Sequence, residues 1–344
     1  MAAALPQRFA ALPGWLEAEL GANNAEITAF QPLSGGAIQE NWLLDAVLIG
    51  GPHDGAHEWV LRTDAASAIA TSHSRAEEFA ILKAAHGAGV RAPKPVCLSA
   101  DGSITGAPFF LMERARGTAQ GRKIIRDGGL ASFGPALARS LGEELARLHA
   151  VKPACPGLDF LPVPQIHPAL FRIRRYRADL DALPGGHPVL EFALNWLEDR
   201  QPPENGLSLC HTDYRTGNYM VDAGQLTAIL DWEFTSWSDP DEDIGWFFAR
   251  CWRFGNDALT AGGISQAGSF LEDYERVSGR TVNRQALRYW QVMAELRWAI
   301  IALQQGERCN SGAEVTQELA LSGIMPPEME LNMLNLIDSF GDPT

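Results

Sequence analysis

Residues 209–221 read LCHTDYRTGNYMV, a strongly polar loop set between two apolar stretches. Leu207, Leu209 and Cys210 lead in, and Tyr219, Met220 and Val221 lead out, so both flanks read as buried strands. A loop fixed between such strands is held rigidly, and rigid loops are where chemistry is usually placed. The continuation NYMVD-AG-QLTAILD predicts two strands turned around Ala223–Gly224. About that turn residue 222 faces 225 and 218 faces 229, which brings Asp231 to the same rim as Asn218. Asp213 stands at the other side of the loop, five residues before Asn218. The pattern predicts two oxygen ligands and one free carboxylate converging on one small volume.

That set suits phosphoryl transfer. A hard cation such as Mg²⁺ prefers carboxylate and amide oxygens together with phosphates. A separate carboxylate must orient the attacking hydroxyl and take its proton. The spacing H-x-D-x-x-x-x-N, from His211 to Asn218, is that of kinase catalytic loops, with Thr212 where those carry arginine. LDWE (230–233) stands where kinases carry D-F-G. The plainer reading of a lone D-x-x-x-x-N is a pair of turn caps. Asp231, returned by the hairpin, is what argues against it.

Upstream, 26–31, 42–49 and 58–64 read as three strands with mostly glycine-rich connections, an antiparallel meander. Ser74 and Glu77 form an S-x-x-E capping box for a helix that Gly87 and Gly89 end. Residues 107–113 read as a short buried strand, and RARGTAQG as a linker. Beyond it, Leu137, Leu141, Leu145 and Leu148 share one helix face, closed by Pro153 and Pro156. Residues 186–200 predict another helix, and nearly everything after Pro240 reads helical. In 284–304, Trp290, Met293, Leu296, Ile300 and Leu303 share a face, with Gly306 expected to stop the helix.

The bulk numbers limit the alternatives. A chain of 344 residues with 46% apolar content can build one large unit or two domains, and is not a disordered chain. A net charge of −14 without a Lys/Arg cluster argues against a nucleic-acid partner. Acidity favours a cationic substrate or a metal, although most such charge is solvated surface. Five scattered cysteines without C-x-x-C predict reduced, buried thiols in a cytoplasmic protein. The start, MAAALPQRFAALPGWLEAEL, reads as an amphipathic helix and not as a secretion signal, and no apolar run approaches a membrane span.

The stretch LCHTDYRTGNYMVD…LTAILDWEFTSWSDPDEDIGWFFARCWRFG resembles the aminoglycoside phosphotransferase/choline kinase superfamily, and the resemblance extends over roughly 25–305. It is especially similar to the branch found fused to acyl-CoA dehydrogenases, which shares LSGG near the start, VLR in the third strand and DWE…DP…D later. The resemblance implies an α+β, two-lobed protein-kinase-like fold, with an antiparallel β-sheet lobe over 1–113 and a mostly helical lobe over 114–344. It implies an ATP-dependent phosphotransferase acting on a hydroxyl of a small molecule, as a monomer or homodimer, with no nucleic-acid or membrane partner. Carried over by position, Asp213 is the catalytic base, and Asn218 and Asp231 hold Mg²⁺. Gly35 and Gly36 let the backbone approach the phosphates of ATP, and the backbone around Glu113 and Ala115 holds adenine. Glu78 pairs with the basic residue of the third strand, which is Arg62 where kinases have lysine. Arginine keeps the charge and can fork onto phosphate or carboxylate oxygens. Two alternatives stand beside this: a non-catalytic nucleotide-binding scaffold, and an antibiotic-modifying enzyme.

The remaining polar residues have mostly structural readings. His149 and His211 are expected to brace the fold, Glu233 to orient the loop or a metal-bound water, and Asp239 to cap the next helix before Pro240. Asp243 is expected to tie that helix to the catalytic loop. Asp241 and Glu242 are expected to be solvated near the helix start. Trp252 and Arg253 are candidates for the border of a substrate cleft, and Arg253, Arg297 and Arg308 for holding an anionic substrate.

Overall fold

The computed structural model describes residues 4–33, 39–64 and 72–341. The chain divides into two compact units. The first comprises 1–117, 155–160 and 227–234; the second comprises the rest.

The first unit is built on a five-stranded antiparallel sheet in the order β1-β2-β3-β5-β4. Its strands are β1 (Asn24–Pro32), β2 (Gln39–Ile49), β3 (Gly55–Asp64), β4 (Pro95–Ser99) and β5 (Phe109–Glu113). The first three form the expected meander; β4, after the helix, is a strand that the sequence pattern did not suggest. Burial alternates along β2, where Leu44, Ala46 and Leu48 face the core. β3 is central and is buried continuously from Trp59 to Thr63. Arg62 therefore lies inside the sheet, opposite Asn41 on β2 and Phe110 on β5.

Helix α1 (Leu12–Leu20) lays Leu12, Leu16 and Leu20, spaced by four, onto Ile27, Leu44, Ala46, Leu48 and Leu61. Helix α2 (Arg75–Gly87) starts at the expected capping box: the Ser74 side chain accepts from the Glu77 N–H, and the Glu77 carboxylate accepts from the Ser74 N–H at 2.8 Å. That cap fixes the first turn, and Glu78 in it is buried.

The second unit is mostly helical. It contains α3 (Gly121–Ile125), α4 (Leu130–His149), α5 (Pro168–Asp181), α6 (Pro188–Asp199), α7 (Pro240–Phe248), α8 (Ala267–Ser278), α9 (Arg284–Asn310), α10 (Gln317–Gly323) and α11 (Pro326–Asp338). Short strands β6 (Ser208–Cys210) and β9 (Ser236–Ser238) pair antiparallel. β7 (Tyr219–Asp222) and β8 (Gln225–Ile229) form a two-stranded sheet, and the boundary between units runs through β8. Ala223 and Gly224 both have positive φ, 47° and 77°, as a two-residue primed turn requires. The core packs Trp290, Met293, Leu296 and Ile300 of α9 against α5, α6 and α11.

Gly306 does not stop α9, which continues to Asn310. Its small size serves packing instead. A Cβ built on Gly306 would lie 2.8 Å from the Gly323 Cα, so α9 and α10 meet at two glycines too close for any side chain. The thiols of Cys97 and Cys210 are buried, whereas Cys155, Cys251 and Cys309 are only partly so, and all five are free. Among the described residues, no helix is long and apolar enough to cross a membrane.

Candidate active site

The polar loop of the second unit joins β6 to β7. Its first residues are held from α7. Asp239 caps that helix, accepting from the Asp241 N–H at 2.9 Å, and Pro240 occupies its first turn. This places Asp243, fully buried, against the loop backbone. Its two carboxylate oxygens accept the N–H groups of His211 and Thr212, each at 2.7 Å. Oδ2 also meets His149 Nε2 at 3.1 Å. A carboxylate there needs a donor, so Nε2 carries the proton; Nδ1 then accepts from the Tyr274 hydroxyl at 2.9 Å. Burial lowers the His149 pKa, which favours this neutral form. His149, Cys210 and Asp243 cluster tightly, but both ring nitrogens of His149 are engaged, so the cluster is a brace and not a metal centre.

Thr212 has φ 59°, the left-handed region, where a β-branched residue is strained by about 1–3 kcal/mol. The next residue, Asp213, is buried. Its carboxylate accepts from Trp246 Nε1 at 2.9 Å and from Arg215 Nε at 3.1 and 3.2 Å. The Asn218 Nδ2 gives its protons to Asp213, at 2.9 Å to the carbonyl and 2.5 Å to Oδ2. An amide that spends its nitrogen this way turns its oxygen to the opposite side, where it is available to a cation. Arg215 lies 4.4 Å over the Trp252 ring and Arg297 4.3 Å over the Trp246 ring.

The first unit carries a separate ionic cluster. Arg62 Nε lies 2.9 and 3.0 Å from the two Glu78 oxygens, and its Nη2 lies 2.9 Å from Asp231 Oδ1. Glu78 also accepts from Arg75 Nη1. Arg75 Nε stands 2.9 Å from Asp64 Oδ1, off line for a hydrogen bond. Burial works against the Arg62 charge, but Glu78, Asp231 and Glu233 outweigh it and the net shift is upward. Glu233 is pushed up to about 7, first by burial and then by the charge of Asp231. The Gln39 amide is best turned so that its nitrogen donates to the Thr63 carbonyl and its oxygen accepts from Arg75 Nη2. Asp231 has φ 69° and a side chain 31% exposed. Among the described residues its Oδ2 has no protein partner, so one oxygen remains for a cation while the other is held by Arg62.

The other expected site residues are distributed as follows. The Glu113 side chain is exposed beside Lys94, and its N–H donates to the Lys94 carbonyl at 2.9 Å. The Ala115 N–H has no backbone partner among the described residues. Gly35 and Gly36 lie outside the described residues. Asp241 and Glu242 are buried and not solvated, because each meets an arginine: Arg280 Nη2 donates to Asp241 at 2.9 Å, and Arg172 Nε to Glu242 at 3.0 Å. Arg308 pairs with Glu314. Arg253 donates to the carbonyls of Asp257 and Phe248, at 3.0 and 2.7 Å. Arg297 donates to the Thr212 carbonyl. Trp252 is buried in an aromatic cluster with Trp246 and Trp298. Sequence reasoning missed Trp246, Arg215 and Arg75. Arg215, two residues from Asp213, was visible as a neighbour; Trp246 sat in a run of aromatics that gave no signal for one polar contact.

An antiparallel sheet unit followed by a helical unit with an H-x-D-x-x-x-x-N loop defines a two-lobed, kinase-like α+β fold. The chain belongs to the phosphotransferase enzyme family, whose model matches residues 29–280. It is 30% identical over 187 residues to acyl-CoA dehydrogenase family member 10 of Mus musculus, a match covering 52% of this chain and 17% of that protein. The chain thus spans less than a fifth of that relative's length. A Ralstonia eutropha structure named as a candidate aminoglycoside phosphotransferase superposes with a TM-score of 0.76 at 20% identity, over 96% of this chain and 98% of that one. Aminoglycoside phosphotransferase APH(4)-Ia, in a ternary complex with ADP and hygromycin B, gives a TM-score of 0.62 at 16% identity, over 97% and 100%. At such identities these structures share a fold with the chain, and no substrate follows from them.

Proposed function

We propose that the chain is an ATP-dependent kinase that phosphorylates a hydroxyl group of a small molecule. Asp213 is assigned as the base: it orients the acceptor hydroxyl and takes its proton as the γ-phosphoryl group is transferred. Trp246, Arg215 and Asn218 fix both carboxylate oxygens, so little reorganisation is left for the reaction. Asn218 and Asp231 are assigned to Mg²⁺, and each has an oxygen free of protein partners or turned away from them, as a hard cation requires. With Mg²⁺ held there, negative charge on the phosphates is neutralised during transfer. Arg62 is assigned as the phosphate clamp, kept in place by Glu78. Gly35 and Gly36 are assigned to the phosphate-covering turn, and the backbone at Glu113 and Ala115 to adenine.

The observation that supports this reading most is the buried, fully oriented Asp213 with the Asn218 amide locked beside it. A nucleotide-binding scaffold has no use for a carboxylate held that way. A screen of hydroxylated metabolites for ATP consumption, run with wild type and Asp213→Asn in parallel, tests it. The expected result is at least one acceptor that stimulates ATP use by wild type only. Equal ATP use by both proteins for every acceptor would remove Asp213 from the mechanism.

A further inference from the structure

We propose that Arg297, on α9, is a positioning residue that holds the strained Thr212 peptide and thereby aims Asp213. This rests on the reading of Asp213 as the group that acts on the acceptor. Thr212 is a β-branched residue in the left-handed region, φ 59°, and left alone it would relax toward ordinary backbone. Its peptide groups are held from two helices. The N–H is taken by Asp243 of α7 at 2.7 Å, and the carbonyl accepts from Arg297 Nη1. The same guanidinium stacks 4.3 Å over Trp246, whose Nε1 donates to the Asp213 carboxylate at 2.9 Å. Arg297 therefore reaches the base by two routes, through the peptide before it and through the indole that orients it. Among the described residues it pairs with no carboxylate, so its charge is directed at the carbonyl and the ring. That arrangement gives an arginine near the loop a task other than gripping an anionic substrate.

The clamp is needed because Thr212 is strained, and this makes it testable. Glycine adopts positive φ without a Cβ penalty, so Thr212→Gly should relax the loop's dependence on Arg297. The experiment compares wild type, Arg297→Met, Thr212→Gly and the double variant by hydrogen exchange of the 209–218 segment and by Mg·ATP hydrolysis. Arg297→Met keeps much of the aliphatic packing and removes the donor. Loss of one such hold should speed exchange of that segment by about 10-fold. In the Thr212→Gly background the same change should cost less than about 3-fold. ATP hydrolysis should fall in Arg297→Met with the dissociation constant for Mg·ATP unchanged, and partly recover in the double variant. Unaltered exchange in Arg297→Met would overturn the clamp. Equal loosening in both backgrounds would also overturn it, because Arg297 would then act as general packing and not against strain. The predicted exchange pattern with no ATP turnover in any protein, even with the acceptors of the metabolite screen present, would leave the clamp standing and count against the phosphotransferase reading instead.

Discussion

The Arg62–Glu78 pair gives a prediction whose size follows from the geometry. Both groups are buried in the first unit, and Glu78 serves two guanidiniums, those of Arg62 and Arg75. Glu78→Gln keeps the shape and removes the charge. Breaking a buried pair by deleting one partner costs about 3–5 kcal/mol. Here the loss is softened, because Arg62 retains Asp231 at 2.9 Å and Arg75 retains Asp64 at 2.9 Å. About 2–3 kcal/mol is therefore expected, a sizeable part of the roughly 5–15 kcal/mol that stabilises a domain. Arg62→Met leaves Glu78 with Arg75, and Asp231 is partly exposed, so about 2 kcal/mol is expected. In the double variant the Arg62 charge that Glu78→Gln leaves short of a partner is gone, while Arg75 keeps only Asp64 and Asp231 loses Arg62. The cost of the double variant should fall short of the sum of the singles by at least about 1 kcal/mol. The assay is guanidinium unfolding of all four proteins, followed at the β3 amides by hydrogen exchange so that the first unit is read by itself. Losses that add to within about 0.5 kcal/mol would refute the idea that the two side chains form one unit.

Asp231→Ala removes a proposed Mg²⁺ ligand, so Mg·ATP should no longer raise the melting temperature, while ATP without metal behaves alike in both proteins; an unchanged Mg·ATP shift would count against the metal assignment. Asp239 is buried beside Asp241, and burial first and that charge second push its carboxyl up to about 7. Its folded pKa lies above its unfolded one, so the native state binds the extra proton and stability from this group falls as pH rises from about 4 to 7. Asp239→Asn keeps an acceptor for the Asp241 N–H and should flatten that part of the stability–pH curve; an unchanged slope in chemical denaturation contradicts it. Gly306→Ala would set a methyl 2.8 Å from the Gly323 Cα, so α9 and α10 must separate, at a cost of about 1–3 kcal/mol read from thermal melts; a neutral effect would show that the close approach is dispensable.

Local signals were the readable ones. The capping box at Ser74, the Ala223–Gly224 turn and the leucine face of α4 each depend on residues within a few positions, and the structure has all three. The loop spacing was legible for the same reason: Asp213 and Asn218 meet across five residues. Asp241 and Glu242 were misread because their arginines lie 39 and 70 residues away, and burial of a charge is decided by its partner. Gly306 was misread because a glycine that ends a helix and one that admits a neighbouring helix look the same in one dimension. Arg297 is a candidate for an anionic substrate on its charge alone; only the packing of α9 shows that it faces a carbonyl and an indole.

The central claim is that Asp213 takes the acceptor proton, and Asp213→Asn tests it most directly. Asparagine keeps the size and the Oδ1 acceptor for Trp246, sets an amide nitrogen against the Asn218 and Arg215 donors that meet Oδ2, and cannot take a proton. The measurement is the single-turnover rate of phosphoryl transfer from Mg·ATP to the acceptor found by the metabolite screen, alongside the dissociation constant for Mg·ATP. The account predicts unchanged nucleotide binding and a transfer rate lower by roughly 10²–10⁴-fold. Transfer by Asp213→Asn at a rate close to wild type, with nucleotide binding intact, would contradict it.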